Sequence, residues 1–345
     1  MSESAVIRFL YQGLSSSETV VAEPWTLPEL DASPLSPEAS ASAWTPGEQN
    51  GVVWLEEHPM PGLPAPLYVT GACSSTLDVA RFLGERDCLP EWGSVLSLRQ
   101  TAGRGQMRRN WVSPPGNLYA ALRLPLEGPF LTCAAAPAIG ALLAAALNAL
   151  GFAVALKWPN DLMDISAPVP RGKTPRRNDA RKVGGILLEQ RGDILTAGIG
   201  INVANCPPET ALRDGAAFCA GTLALRETSW RETSDAPSLS LPQTGNIFTF
   251  WLQLAAALFS CYEKRTSPDT WWLPLAERHL AFRGCRFVLS DAIPENDAIS
   301  RSPCEGIVES ITPSGALLLK TEHGSESFLG GSLLPANGDL PSNRS

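Results

Sequence analysis

The sequence predicts an α+β protein in two parts, a larger domain of strands and helices followed by a small all-β barrel. Three observations predict it. Apolar runs with strand and helix periods alternate through the middle of the chain. After Arg283 the pattern changes to short strands broken by turns: CRFVLSD, CEGIVESITPSGALLLKTEHG and ESFLGGSLL. Finally, 345 residues at 44% hydrophobic content can bury one sizeable core and still supply a smaller satellite.

Strands are predicted over residues 95–99, 118–124, 154–158, 185–189 and 194–203, and helices over 76–86, 134–150, 247–264 and 269–282. In the first helix Ser75 or Thr76 is placed as N-cap, and Leu77, Ala80, Phe82 and Leu83 give an apolar face. The run 133–156 is apolar, but it is built mostly of alanine and holds Pro137, Gly140, Asn148 and Gly151. It reads as a buried helix followed by a strand rather than a membrane span. Residues 12–50 are dominated by Ser, Glu, Pro, Ala and Thr, which bury too little apolar area to offset ordering entropy. A mobile N-terminal extension is expected there, and a similar surface connection at 226–245.

The net charge of −8 argues against a general nucleic-acid or anionic-membrane binder, which needs a basic surface. MSESAVIRFLYQ lacks the apolar core of a secretory signal, so a cytoplasmic location is expected. The eight cysteines form no C-x-x-C pair and have no histidine at metal-ligand spacing, so reduced structural thiols are expected rather than zinc.

The chemistry concentrates in three segments. Residues 100–119, QTAGRGQMRRNWVSPPGNLY, interleave a glycine-rich turn with Arg104, Arg108 and Arg109. Glycines let backbone N–H groups approach an anion, and guanidinium groups neutralise phosphate with directed hydrogen bonds. KWPND, from Lys157 to Asp161, follows an apolar strand. RKVGGILLE, from Arg181 to Glu189, puts Lys182 at the mouth of a buried strand, where an ammonium can hold a carboxylate and a phosphate together. Taken singly, a G-x-G also suits an ordinary turn, and each lysine also suits a solvated strand end.

Taken in order, the array S-S-T-L-D, Q-T-A-G-R-G, W-x-S-P-x-G-N-L-Y, K-W-P-N-D, R-K-x-x-G-I-L-x-E, G-I-G-I-N-V resembles the biotin protein ligase family. The resemblance runs through residues 73–203 and more loosely into the final barrel-like segment. It implies a mixed-sheet biotin/lipoate ligase-like catalytic domain at 61–282 and an SH3-like β-barrel at 283–336, after an N-terminal extension at 1–60, partly disordered, and before a tail at 337–345. The implied activity is activation of biotin by ATP, accompanied by Mg2+, to biotinyl-AMP, then transfer to a lysine of the biotin carboxyl carrier domain of a biotin-dependent carboxylase. A monomer or homodimer without a nucleic-acid or membrane partner is implied as well.

By matching position, the resemblance implies a biotin pocket of Ser75, Thr76, Gln100, Gly103, Arg104, Gln106, Lys182 and Gly185. Adenylate contacts fall on Arg104, Gln106, Arg108, Arg109, Trp111, Lys157, Asn160, Lys182 and Asn202, with Trp111 closing over the nucleotide. Lys182, Arg104 and Asp161 take the catalytic positions, Asp161 as candidate base or metal partner; no dedicated metal cage is visible. Two departures from the family pattern stand out. Gln106 occupies a place where arginine is common, which should weaken adenylate retention unless Arg108 supplies the charge. The connection between Asp161 and Lys182 is long and basic, with Arg171, Lys173, Arg176, Arg177 and Arg181; it reads either as a solvated insertion or as a dock for an acidic carrier domain. Two other classes stay open: a lipoyl or octanoyl transferase of the same superfamily, and a noncatalytic biotin-binding regulator.

Overall fold

The computed structural model describes residues 6–10, 14–15, 21–22, 45–57, 63–166, 169–208, 218–225, 247–295 and 303–335. The chain divides into two compact units, one holding Met1–Leu126, Gly185–Asn205 and Ser229–Glu263, the other Glu127–Gly184, Cys206–Thr228 and Lys264–Ser345.

The first unit is a mixed sheet. Its strands are β1 (Ile7–Leu10), β2 (Leu14–Ser15), β3 (Val21–Ala22), β4 (Thr45–Gln49), β5 (Val52–Glu57), β6 (Leu67–Cys73), β7 (Ser94–Gln100) and β8 (Leu118–Leu124), joined later in the chain by β11 (Arg181–Arg191) and β12 (Ile194–Ile201). They lie in the order β4-β5-β1-β6-β7-β8-β12-β11. β1, β6 and β7 run parallel, and β8 and β12 are added antiparallel. All seven residues of β6 are buried, which fits a central strand covered on both faces. Helix α1 (Thr76–Gly84) packs on β7, β8 and β12 through Leu77, Ala80 and Leu83. Phe82 is only half-buried and carries the Arg86 guanidinium 3.6 Å over its ring. Helix α3 (Ile247–Glu263) is buried along Phe248, Phe250, Trp251, Leu254 and Leu258; Phe248 stacks on Phe9, and Trp251 Nε1 donates to Ser94 Oγ at 3.1 Å.

Part of residues 1–60, expected to be a partly disordered N-terminal extension, contributes strands to this sheet. β1 is an interior strand, with Ile7, Phe9 and Leu10 at most 3% exposed, flanked by β5 and β6. Four residues carry almost no periodic signal, and their burial comes from partners about 50 residues away, in accord with the registers Ile7↔Glu57 and Ile7↔Leu67. Residues 23–44, the middle of the expected mobile segment, lie outside the described residues, as do 226–246.

The second unit holds an antiparallel hairpin, β9 (Val154–Lys157) and β10 (Asp161–Asp164), together with β13 (Cys219–Ala220), which pairs with the start of β11. Helix α2 (Ala135–Ala149) is the alanine-rich run; it is buried from Pro137 through Leu147 and packs on β9 and on α4 (Leu273–His279). α4 is shorter than the predicted 269–282: it opens with proline in its first turn, and Leu280 turns extended to bridge Leu156. No described helix is long and apolar enough to cross a membrane. The barrel predicted after Arg283 is present as β14 (Arg286–Pro294), β15 (Cys304–Ile311), β16 (Leu317–Thr321) and β17 (Gly324–Pro335), closed in that order. All eight cysteines are free thiols, and Cys73, Cys88, Cys219 and Cys285 are buried.

Candidate functional site

In the first unit the S-S-T-L-D and Q-T-A-G-R-G motifs meet because β6 and β7 are parallel neighbours with Cys73 opposite Gln100. Both strands therefore end at the same level, and α1 starts there. Ser75 makes no side-chain cap hydrogen bond; Gln100 does the work instead. Its Oε1 accepts from the Thr76 N–H at 2.9 Å and the Thr76 hydroxyl at 3.2 Å, while Nε2 donates to Ser113 Oγ at 3.1 Å. Ser113 Oγ in turn donates to the Trp111 carbonyl at 3.1 Å. One amide thus ties three motifs together, with Ser75, Thr76 and Ser113 all buried.

The loop from Gly103 to Trp111 folds back on itself. Trp111 N–H donates to the Gly103 carbonyl (2.9 Å), Gly105 N–H to the Arg109 carbonyl (2.8 Å), and Arg104 bridges Asn110. Glycine is required at position 103, where a Cβ would fall 2.5 Å from the Trp111 oxygen. The Trp111 indole lies against β12 at Gly200, where a Cβ would sit 2.6 Å from the ring. Gly200 of G-I-G-I-N-V is thus the floor on which the tryptophan rests, while Gly198 makes room for Leu77 of α1.

Arg104 is held by two carboxylates that the sequence reading did not assign. Nη1 donates to Asp78 Oδ1 at 2.8 Å and Nη2 to Glu189 Oε2 at 3.1 Å; Nε lies 3.1 Å from Glu189 Oε1 but out of line for a hydrogen bond. Asp78 is 5% exposed, accepts from Ser74 Oγ at 3.1 Å, and has Arg81 at 3.5 Å. Arg104, Glu189, Arg81, Gln190 and Arg191 line an open depression. The signal for both carboxylates was present in the sequence, as the last letters of S-S-T-L-D and of R-K-x-x-G-I-L-x-E.

Gly185 lies on β11 and Asn202, 4% exposed, just past the end of β12. The backbone after Asn202 is fixed by buried Asn117, whose Oδ1 accepts from the N–H groups of Val203, Ala204 and Asn205 at 2.9, 3.0 and 3.0 Å. Gln106 and Arg109 are exposed at the loop tip, and Arg109 Nη2 reaches Met107 Sδ at 3.5 Å. The Arg108 side chain lies outside the described residues.

The second unit gathers the lysines. In the β9–β10 hairpin Lys157 is opposite Asp161, and their side chains meet: Lys157 Nζ lies 3.3 Å from Asp161 Oδ2. The other carboxylate oxygen takes Lys182 Nζ at 2.5 Å. Burial alone would push the Asp161 carboxyl up, but the Lys182 and Lys157 ammoniums overcome it and hold the group down at about 2. Lys157 and Asn160 are each 7% exposed, whereas the Lys182 side chain is 36% exposed. Two ammoniums share one carboxylate, which leaves a surplus positive charge at the strand mouth. Trp158, inside the same hairpin, is buried, and its Nε1 donates to the Gly315 carbonyl at 2.9 Å, which anchors the turn that presents Asn160 and Asp161.

Among the described residues no three His, Cys, Asp or Glu side chains cluster to hold a metal. Asp161, already neutralised by two lysines, does not fit the part of metal partner.

Residues 89–204 match the model of the Biotin/lipoate A/B protein ligase family. The chain is 31% identical to a biotin–[acetyl-CoA-carboxylase] ligase of Paracoccus denitrificans over 258 residues, 69% of this chain and 90% of the relative. It is 37% identical over 113 residues to a bifunctional ligase/repressor of Salmonella typhimurium, a match that spans 31% of that protein. In fold it is similar to the biotin protein ligase from Aquifex aeolicus in complex with biotin and ATP, with a TM-score of 0.52 at 22% identity, covering 78% of this chain and 99% of that one. By its near full-length match to the Paracoccus enzyme, the chain belongs to the biotin protein ligase family and is a ligase.

Proposed function

We propose that the chain activates biotin with ATP and transfers it to a lysine of a biotin carboxyl carrier domain. The observation that carries this reading is the Lys157–Asp161–Lys182 group, where two ammoniums share one carboxylate and Lys182 is the more exposed of the two. Adenylation brings a carboxylate and an α-phosphate together, and a surplus positive charge at a fixed strand mouth is what that approach needs.

The biotin carboxylate oxygen attacks the α-phosphorus of Mg-ATP, and pyrophosphate leaves. Lys182 bridges the attacking carboxylate and the α-phosphate; within the first unit, Arg104 is pre-set by Asp78 and Glu189 to hold an anionic group of its own. The acceptor lysine, as its neutral amine, then attacks the activated carbonyl; the acyl C–O bond to the phosphate breaks, an amide forms, AMP leaves as the phosphate anion and the amine proton passes to solvent. Asp161, held ionised by the two ammoniums that share it, orients both lysines. Within the first unit, Thr76, Gln100, Gly103 and Gly185 supply the biotin side, and Trp111 and Asn202 the nucleotide side. Mg2+ enters with ATP as part of the substrate.

The test is to incubate the protein with biotin, Mg-ATP and an apo carrier domain and look for covalent biotin on the carrier. Label that requires ATP and disappears when the carrier lysine is replaced is the expected result. Label that appears with lipoate or octanoate in place of biotin would move the chain to the transferase class.

A further inference from the structure

The connection between β10 and β11 carries cations for which adenylation has no use. Arg171, Lys173, Arg176, Arg177 and Arg181 are all exposed, against one acid, Asp179. Five positive charges less one negative give a local +4 in a chain of net charge −8. Among the described residues none of the five joins an ion pair. Asp179 is turned inward to the backbone, accepting the Arg176 N–H at 2.7 Å.

The segment that bears them is fastened down. Gly172 N–H donates to the Gly284 carbonyl at 2.7 Å and Arg286 N–H to the Lys173 carbonyl at 3.1 Å. Cys219 Sγ bonds Asn178 Oδ1 at 3.2 Å, and Pro175 and Ala180 are buried beneath. Five exposed cations on a pinned segment, with no ion pair among the described residues, present a positive surface that an anionic partner can neutralise. The patch also leads directly into β11, where Arg181 and Lys182 pair with Cys219 and Ala220 of β13. A surface next in the chain to Lys182 is suited to steering the molecule that receives the acyl group.

We infer that this basic face docks the acceptor protein, which meets it with a carboxylate-rich surface near its target lysine. The inference rests on the ligase reading. A protein is favoured over nucleic acid because the cations fall within one short segment, 171–181, of an otherwise acidic chain, whereas a duplex presents phosphates along a long track that such a chain repels.

The experiment uses the full chain with Lys173→Glu, Arg176→Glu and Arg177→Glu combined, and a milder set with glutamine at the same places. None of these side chains is used by adenylation or by the backbone bonds that pin the segment. Biotin-dependent ATP–pyrophosphate exchange, which needs no acceptor, is measured beside transfer to an apo carrier domain and binding of a duplex DNA oligonucleotide. The expected result is unchanged exchange, a carrier KM raised by about tenfold or more with the glutamate set and less with the glutamine set, and a carrier KM that no longer responds to salt. An unchanged carrier KM with exchange intact overturns the docking surface and leaves the ligase reading standing. Tight duplex binding that the glutamate set abolishes, with carrier KM unmoved, replaces it with a nucleic-acid surface. No exchange by the unaltered protein would remove the ligase reading and the docking surface together.

Discussion

Asp161 illustrates how three side chains set one another. A carboxyl held down from 3.8 to about 2 contributes stability that is present in full above 3.8 and lost as pH falls through 2. Asp161→Asn should therefore destabilise the protein by about 3 kcal/mol near neutral pH, since it leaves Lys157 buried beside Lys182 without a counter-charge. The deficit should shrink as pH is lowered from 4 toward 2, which denaturant titrations at several pH values would read. Lys182→Met removes a half-exposed ammonium while Lys157 still neutralises Asp161, so the fold should lose no more than about 1 kcal/mol. Adenylate formation should fall by at least about a hundredfold in the same variant. At the other cluster, Asp78→Asn frees one side of the Arg104 clamp. The biotin KM should rise by about tenfold, the loss of one charge-assisted hydrogen bond. Asp78→Glu should recover part of that loss, which a purely structural role for Asp78 would not predict. Lys182, Arg104, Gln100 and Trp111 were legible because they sit inside local motifs. Asp78 and Glu189 stand in the same motifs, but their pairing with Arg104 was not legible, because those bonds span 26 and 85 residues and no local pattern reports them.

Elements show the same division between local and distant causes. Strands over residues 118–124 and 194–201 and the helices beginning near Thr76, Ala135 and Ile247 were readable from periodicity, since each is long enough to express its period. β1 was not, because four residues flanked by polar sequence look like part of a solvated segment until β5 and β6 close around them. Phe9→Ala should cost about 3 to 5 kcal/mol, and the drop in thermal midpoint would separate a sheet strand from a dispensable extension, which would show none. β12 makes a second case. Gly200 looks like a weak point in a strand, yet the Trp111 ring occupies the room a side chain would take. Gly200→Ala should lift the indole and raise the ATP KM about tenfold, equivalent to one lost stacking contact, with little change in biotin affinity.

At the scale of the whole molecule, the α+β class and the closed four-stranded barrel followed from composition, alternation and turn spacing. The division into units did not, because β11 runs through both: Arg181 to Gly184 belong to one and Gly185 onward to the other. The central claim is tested most directly in the first half-reaction, which needs no acceptor and whose acid can be varied. The measurement is ATP–pyrophosphate exchange by the purified protein with biotin, lipoate or octanoate as the acid, in the unaltered chain and in Lys182→Met. Exchange with biotin alone, lost in the variant, is the predicted result. Exchange driven by the fatty acids and not by biotin, or undiminished biotin-driven exchange in the variant, would contradict it.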